Sequence, residues 1–171
     1  MSRAARRLVY CWDPTLREPC APADPADPDL PDLIRDMRRI MEREQGVGLA
    51  APQVGDRRRV ILIRRPEDPP ARARVLVNPV LTELSPDRVP FLEGCLSFPG
   101  VYRNVMRPRA VRVRYRGEDG QEQELADDAL LARVVQHEID HLDGILFVDH
   151  LSGWERLRVR LRMGLWRLGW R

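Results

Sequence analysis

Apolar residues near the N-terminus follow the spacing of an amphipathic helix. Within residues 31–45 they recur three and four positions apart, which places one face of a helix on the core; they are Leu33, Ile34, Met37, Ile40 and Met41. Gly46 follows and can supply the C-terminal cap. The preceding segment, residues 18–31, is rich in Pro, Ala and Asp and predicts an irregular surface stretch. We therefore expect a first helix over about residues 31–45.

Strand-like patterns occupy the middle of the chain. Val60–Ile63 and residues 75–77 are short β-branched runs that predict buried strands. Residues 111–115 alternate apolar side chains with arginine, the period-two pattern of a half-buried antiparallel strand. Residues 118–121 then predict a turn. These runs indicate a sheet with at least one antiparallel pair.

A second helix is predicted late in the chain. Asp127 or Asp128 can cap it, and its apolar positions continue to His141, with an end near Gly144. One helix inserted after several strands indicates an α+β fold: antiparallel β-sheets packed around this central helix, with N-terminal and C-terminal helices. A length of 171 residues fits a single domain over residues 1–171.

The segment from about residue 152 to 171 predicts a third helix, and it is strongly basic. From Trp154 onward it holds six arginines and one acidic residue. On a helix, one apolar stripe consists of Trp154, Leu157, Leu161, Leu165 and Leu168. A second stripe, nearly opposite, consists of Val159, Met163, Trp166 and Trp170. One stripe suffices for docking, which would leave the second, with its two tryptophans, facing water; alternatively, the helix stops near Gly164 and the tail folds back on the core.

Composition places the chain among ordinary globular proteins. It is 43% hydrophobic and 32% charged, and no apolar run is long enough to span a bilayer. The basic N-terminus lacks the apolar stretch of a secretory signal, so we expect a cytoplasmic protein. The net charge of +3 indicates no specific nucleic-acid target, although all 29 basic residues are arginine. An odd number of cysteines, at positions 11, 20 and 95, argues against a disulfide framework.

The sharpest chemical pattern is His-Glu-Ile-Asp-His at residues 137–141. On a helix, positions i and i+4 project from one face, so His137 and His141 can present their imidazoles to a single metal ion. Glu138 is placed to reach a water molecule at such a site without being a ligand, which suits a general base. The spacing therefore predicts a metal-dependent hydrolase, with two histidines of the core as the alternative.

A catalytic metal of this type takes three protein ligands and leaves one position open. The third ligand could be His150, an acidic residue or Cys95, whose thiolate is a strong donor to a borderline or soft ion. Cys95 follows Gly94, which permits close backbone approach. A further segment, residues 46–55, combines glycines and alanines with Gln53, an amide able to donate to a carbonyl oxygen.

Together these segments resemble the peptide deformylase family. Its pattern of three ordered motifs is present as Gly-Val-Gly-Leu-Ala-Ala-Pro-Gln at 46–53, Glu-Gly-Cys-Leu-Ser at 93–97 and Gln-His-Glu-Ile-Asp-His-Leu at 136–142. The likeness extends from about Asp13 to Asp149, most of the chain. It implies hydrolysis of the formyl group from the N-terminal formyl-methionine of nascent polypeptides. It also implies one divalent ion, with Fe²⁺ as the working metal and zinc or nickel able to occupy the site.

The resemblance implies a role for each matching residue. The metal ligands would be Cys95, His137 and His141. The general base and the two donors to the developing oxyanion would be Glu138, Gln53 and the backbone N–H of Leu96. The groove for the substrate main chain would be lined by Val47, Gly48 and Gly94. Helix geometry adds Leu130 and Val134, which share the metal-bearing face and suit either a methionine pocket or plain core packing.

Two alternatives and several departures from the family pattern remain open. A metallopeptidase also uses the His-Glu-x-x-His helix, and a non-catalytic ribosome-associated factor could retain the fold. Phe98 and residues 100–104 replace a smaller stretch, and either Arg103 or Arg107 is a candidate arginine near the site. Arg133 interrupts the apolar positions of the metal helix. For the basic C-terminal helix we expect a partner, which could be the ribosome, a membrane surface or a second subunit. The ribosome is favoured because substrate emerges there and arginine suits phosphate.

Overall fold

The computed structural model describes residues 6–168. Its helices are α1 (Leu30–Arg43), α2 (Leu130–Leu142) and α3 (Gly153–Arg167). Its strands are β1 (Gly48–Ala50), β2 (Val60–Ile63), β3 (Arg74–Leu84), β4 (Arg88–Gly94), β5 (Tyr102–Pro108), β6 (Val111–Arg116) and β7 (Glu122–Asp127). The strands form a five-stranded antiparallel sheet in the order β1-β2-β3-β6-β7 and a separate β4-β5 hairpin.

The first helix lies close to its predicted position, but the prediction that Gly46 caps its C-terminus is wrong. Gln45, not Gly46, adopts the left-handed conformation, with φ of 54°. Its side-chain Nε2 donates to the carbonyl oxygen of Glu42 at 2.8 Å, which supports a conformation that a non-glycine residue rarely adopts. Gly46 is needed for a different reason: a Cβ atom there would lie 2.9 Å from Leu96 Cδ1. The glycine therefore lets the segment before β1 approach the residue that follows Cys95.

The large sheet confirms the predicted strands and extends them. β2 is buried throughout, and β6 buries Val111, Val113 and Tyr115 while its arginines point outward. The predicted run at residues 75–77 is the buried start of an eleven-residue strand, β3. The turn over residues 118–121 joins β6 to β7. Both strands of the β4-β5 hairpin were missed by sequence analysis.

Helix α2 is the buried centre of the fold, as predicted. It packs against β1, β2, β5 and β7. The N-cap position is Ala129, but Asp127, one of the two predicted capping residues, supplies the hydrogen bonds from two positions earlier: its Oδ1 accepts from the backbone N–H groups of Ala129 at 2.8 Å and Ala132 at 3.0 Å. The chain turns away at Gly144, whose φ is 73° and whose missing side chain avoids the backbone of Arg17. Antiparallel sheets thus surround the helix that carries both histidines.

Helix α3 docks with the stripe that was predicted to face water. The stripe that packs on the body contains Val159 and Met163, both buried, and Trp166, whose ring lies 5.0 Å from that of Tyr10. The opposite stripe faces solvent at Trp154, Leu157, Leu161, Leu165 and Leu168. The helix continues past Gly164, so the predicted early stop is wrong, and Trp170 lies outside the described residues. Over residues 6–168, no helix is both long and apolar enough to cross a membrane.

Candidate metal centre and active site

Three side chains predicted to bind metal meet at one point. His137 and His141 lie one turn apart on α2, with ring centroids separated by 5.0 Å. Cys95 follows the last residue of β4, and its Sγ lies 3.3 Å from His141 Nε2. The candidate ligand atoms of the three residues all lie within 4.8 Å of one another. Two imidazoles and a thiol at this spacing form a donor set suited to a divalent transition metal.

The orientation of His137 is fixed by Glu93, a residue that sequence analysis did not single out. Nδ1 of His137 lies 2.8 Å from Glu93 Oε2, and Glu93 is 3% exposed. Burial would raise the pKa of Glu93, but hydrogen bonds from His137 and Arg107 outweigh it and lower that pKa to about 2. The carboxylate is therefore ionised and accepts the proton on Nδ1. That leaves Nε2 of His137 as the nitrogen with a lone pair to donate.

Arg107 links this carboxylate to α2. Its guanidinium donates to both oxygens of Glu93, at 2.7 and 3.0 Å, and to Asp140 Oδ2 at 2.6 Å. Asp140 in turn lies 2.8 Å from His150 Nε2. Of the two candidate arginines, Arg107 thus belongs to a buried ionic network, whereas Arg103 donates to the neighbouring carbonyl of Tyr102. Asp140 and His150 therefore contact the Arg107 network and are not among the three converging candidate ligands.

Glu138 is poised for proton transfer. It is 4% exposed, and its Oε2 has no hydrogen-bond partner among the described residues. Burial raises the pKa of Glu138 to about 7. A Cβ atom on Gly48 would lie 2.2 Å from Glu138 Oε1, so glycine is required for this carboxylate to sit beside β1. A carboxyl group with a pKa near neutrality can both take up and release a proton at physiological pH.

Gln53 directs its amide towards the same point. Its Oε1 accepts from the backbone N–H of Ala50 at 2.8 Å, which fixes the amide orientation. The Nε2 atom donates to Ser97 Oγ at 3.2 Å and lies 3.5 Å from Cys95 Sγ. Leu96 follows Cys95 directly and is partly buried against the core. The predicted pair of donors, the Gln53 amide and the Leu96 backbone, therefore flanks the cysteine.

A cavity of about 280 Å³ opens beside these groups. Its walls include the predicted substrate-binding residues Val47, Gly48, Gly94, Leu130 and Val134. Further lining residues, which the sequence pattern does not predict, lie on the β4-β5 hairpin and are Phe91, Leu92 and Tyr102. The ring of Tyr102 lies over Gly94, where a Cβ atom would approach it to 2.5 Å. Arg133 also lines the cavity, and its Nη1 is held by three backbone carbonyls, those of Arg109, Asp128 and Ala129.

Known proteins resemble this chain over almost its whole length. A family profile described as polypeptide deformylase matches residues 5–157. The peptide deformylase of Azotobacter vinelandii is 44% identical over 151 residues, 88% of this chain and 89% of the relative. That of a Picosynechococcus strain is 42% identical over 156 residues, 91% of this chain and 83% of the relative.

Solved structures give the same result. A peptide deformylase from Legionella pneumophila superposes with a TM-score of 0.89 at 38% identity, covering 96% of each chain. One from Synechococcus elongatus, in complex with actinonin, has a TM-score of 0.85 at 41% identity and covers 100% of this chain and 91% of its own. Both similarities include the segments that carry the candidate ligands.

Proposed function

Since this chain belongs to the polypeptide deformylase family, we propose that Cys95, His137 and His141 bind the divalent metal ion on which its activity depends. The enzyme hydrolyses the formyl group from the N-terminal formyl-methionine of newly synthesised polypeptides and releases formate. The observation that carries the ligand assignment is the convergence of one thiol and two imidazoles, with Nδ1 of His137 held by an ionised carboxylate.

For the metal itself we propose Fe²⁺. Two imidazoles and a thiolate accept zinc and nickel as well, and the general affinity order favours both over ferrous iron. The choice of iron rests on the family resemblance and not on the donor set. Elemental analysis of protein purified without oxygen, compared with protein purified in air, tests it. Stoichiometric zinc, with full activity, in both preparations would contradict iron as the working ion.

Glu138 is the proposed general base. When bound, a metal ion of this type supplies Lewis acidity, polarising a carbonyl group and making water acidic near neutral pH. The carboxylate of Glu138 accepts a proton from the attacking water and passes it to the amine nitrogen that leaves with the peptide. Its burial and raised pKa, about 7, suit both halves of this transfer. The departing amine is thus neutralised as the bond to the formyl carbon breaks.

Gln53 and Leu96 are proposed to stabilise the negative charge that develops on the formyl oxygen. The Gln53 amide is held by Ala50 through its oxygen, so its N–H groups face Cys95 without rearrangement. Such preorganised donors stabilise the transition state more than the ground state. Removing one donor of this kind typically lowers turnover by about a hundredfold or more. The backbone N–H of Leu96 is proposed as the second donor.

The cavity is proposed to receive the first residue of the substrate. Val47, Gly48 and Gly94 would border the substrate main chain, since all three line the cavity beside the candidate ligands. Leu130 and Val134 would contact the methionine side chain from α2. An unbranched thioether fits an apolar wall of this kind because it adapts to irregular surfaces.

The ligand assignment is tested with Cys95→Ala. This variant should lose both bound metal and activity on formyl-Met-Ala-Ser, because a two-histidine site lacks the third donor. Cys11→Ala, at a cysteine outside the site, is the matched control and should keep both. Full metal content in Cys95→Ala would contradict the three-ligand site. Hydrolysis of the unformylated peptide by the unchanged protein would instead favour a metallopeptidase.

We further propose that the enzyme works in the cytoplasm and contacts the ribosome through the exposed stripe of α3. Leu161 and Leu165 are 62% and 52% exposed on this stripe. Because α3 also buries Val159 and Met163, point substitutions are a cleaner test than truncation. Leu161→Glu with Leu165→Glu should reduce co-sedimentation with ribosomes and leave turnover of short peptides intact. Unchanged co-sedimentation would exclude this surface.

A further inference from the structure

The cavity beside the candidate metal ligands contains a cation to which the proposed mechanism gives no role. Arg133 is the only arginine among the described residues that line this cavity. It lies about one helical turn before His137 on α2, so both side chains belong to the same side of the helix. Its neighbours in the α2 wall, Leu130 and Val134, are apolar. A guanidinium group therefore interrupts the surface proposed for the methionine side chain.

This guanidinium group lies at the end of the wall away from the candidate ligands. Its Nη1 atom donates to the backbone carbonyls of Arg109, Asp128 and Ala129. Two of these carbonyls directly precede α2, roughly 12 Å before His137 at the rise of an α-helix. The side chain of Arg133 thus points back towards the start of α2, as long side chains on helices do. An unbranched substrate side chain that extends from the ligands along this wall runs towards the cation.

One donor nitrogen of Arg133 is left without a partner. Within residues 6–168 the side chain has no carboxylate partner, and all its hydrogen bonds come from Nη1 and reach carbonyl oxygens. Its Nε is enclosed without a partner, whereas Nη2 also has none in this part of the chain but is not enclosed. Because the bonds at Nη1 fix the planar group, Nη2 is an oriented donor that a ligand can reach.

We propose that Arg133 selects for a hydrogen-bond acceptor at the end of the first side chain, so that the enzyme also deformylates peptides that begin with N-formyl-methionine sulfoxide. The proposal rests on the assignment of this cavity to the first residue of the substrate. A thioether sulfur is a weak acceptor. Oxidation of methionine to the sulfoxide makes the side chain polar and chiral. The sulfoxide oxygen would accept a hydrogen bond from Nη2 of Arg133.

An apolar cavity without such a donor would reject the oxidised side chain. Burial of the sulfoxide oxygen beside Leu130 and Val134 removes its hydrogen bonds to water, which is unfavourable unless another donor replaces them. A hydrogen bond from a charged donor is stronger than one from a neutral donor and offsets this loss. Norleucine has the shape of methionine but no acceptor, so it would displace water from Nη2 without replacing its hydrogen bonds. Arg133 should therefore favour the sulfoxide most and norleucine least.

Peptides that differ only in the first side chain test this role. They are formyl-X-Ala-Ser with methionine, either sulfoxide epimer of methionine, or norleucine as X, and formate release gives kcat/KM. Arg133→Met removes the donors and keeps an unbranched stem. The ratio of kcat/KM for the sulfoxide to that for norleucine should fall about tenfold or more, because a hydrogen bond to a charged group is lost. A ratio measured within one variant does not depend on the fraction of protein that is folded.

Two further variants separate the donor from the apolar wall. Arg133→Lys keeps a cation and should recover part of the ratio. Leu130→Ala removes apolar surface and keeps the donor, so it should lower kcat/KM for all the peptides and change the ratio much less. A fixed donor should also prefer one sulfoxide epimer, and this preference should disappear in Arg133→Met. Binding of the same peptides to Glu138→Gln, measured by calorimetry, should show the same selectivity without turnover.

The results that would overturn this inference are distinct from those that would reject the proposed function. Turnover of the methionine peptide, with neither binding nor turnover of either sulfoxide peptide, would overturn the inference alone. So would an unchanged ratio in Arg133→Met. Equal changes of the ratio in Arg133→Met and Leu130→Ala would show that the shape of the cavity, and not the cation, sets the selectivity. A protein that releases no formate from the methionine peptide would contradict the proposed function itself, and the inference with it.

Discussion

Helices α2 and α3 are similar in length, 13 and 15 residues, but they relate to the rest of the molecule in different ways. α2 is buried on nearly all sides, and its residues His137 and Asp140 are held by Glu93 of β4 and Arg107 of β5. α3 buries only Val159 and Met163 fully and leaves a row of large apolar side chains in solvent. α2 carries the candidate catalytic residues on its buried face, whereas α3 leaves an apolar face available for contact with a partner.

The family profile also separates these two helices, because it covers one and not most of the other. It ends at residue 157, near the beginning of α3, so it covers all of α2 and little of the last helix. The proposed ligands, base and oxyanion donors all lie within the matched residues, where the reaction would require fixed distances among them. The exposed apolar residues of α3 at positions 161, 165 and 168 lie beyond the matched range.

The largest expected effect lies on α2, at Glu138. Glu138→Gln removes the proton acceptor while preserving shape, so turnover of formyl-Met-Ala-Ser should fall by about a hundredfold to ten-thousandfold. Metal content should stay unchanged, since Glu138 is not one of the three ligands. Steady-state kinetics combined with elemental analysis measures both. Turnover near that of the unchanged protein would place the base elsewhere.

The ion pair between Arg107 and Glu93 should contribute to the free energy of unfolding. Arg107→Leu leaves the buried carboxylate of Glu93 without its guanidinium partner, and removing one member of such a pair typically costs about 3–5 kcal/mol in the free energy of unfolding. Urea denaturation measures the loss. Arg103→Leu, which removes a side chain bonded only to a neighbouring carbonyl, is the control and should change stability little. Equal effects would show that Arg107 is replaceable.

Truncating a side chain should reduce the free energy of unfolding much more on the buried stripe of α3 than on the exposed stripe. Met163→Ala deletes a buried side chain and should lower the free energy of unfolding by about 2–5 kcal/mol. Leu161→Ala deletes an exposed one and should change it by less than about 0.5 kcal/mol. Thermal or urea unfolding of the two variants measures the difference. A large loss in Leu161→Ala would mean that a partner or second copy covers the stripe in solution.

The smallest effect is expected at Gly164, in the interior of α3. A side chain there has open space, so Gly164→Ala should raise the free energy of unfolding by about 0.5–1 kcal/mol through helix propensity alone. Differential scanning calorimetry can resolve a shift of this size. Destabilisation would show that α3 bends or packs at this position.

The residues of the candidate metal site are easier to predict from the sequence than the strands that surround them. The three motifs carry their chemistry in contiguous residues, so Cys95 and the two histidines could be identified without a fold. The β4-β5 hairpin could not, because Pro90 and the exposed arginines obscure its alternating pattern. Glu93 had a local signal, a carboxylate two residues before the cysteine, but its bond to His137 is a tertiary contact.

The face of α3 that packs on the body could not be predicted from the sequence either. Both stripes are apolar and each contains tryptophan, so periodicity predicts an amphipathic helix without choosing the side that docks. The choice depends on the receiving surface, where Phe98 and Phe147 form an edge-to-face pair. Phe98 and Phe147 belong to the cluster against which Val159 and Met163 pack. Among the described residues, no such apolar surface faces the leucine stripe.

The bridge between Glu93 and His137 also bears on the order in which the molecule assembles. The two residues are 44 positions apart, and the intervening chain includes all of β5, β6 and β7. Forming α2 alone would bring the histidines together but would leave the thiol and the supporting carboxylate distant. Closing so long a loop is entropically costly and comes with tertiary packing. Metal uptake should therefore report the completion of folding and not the formation of the helix.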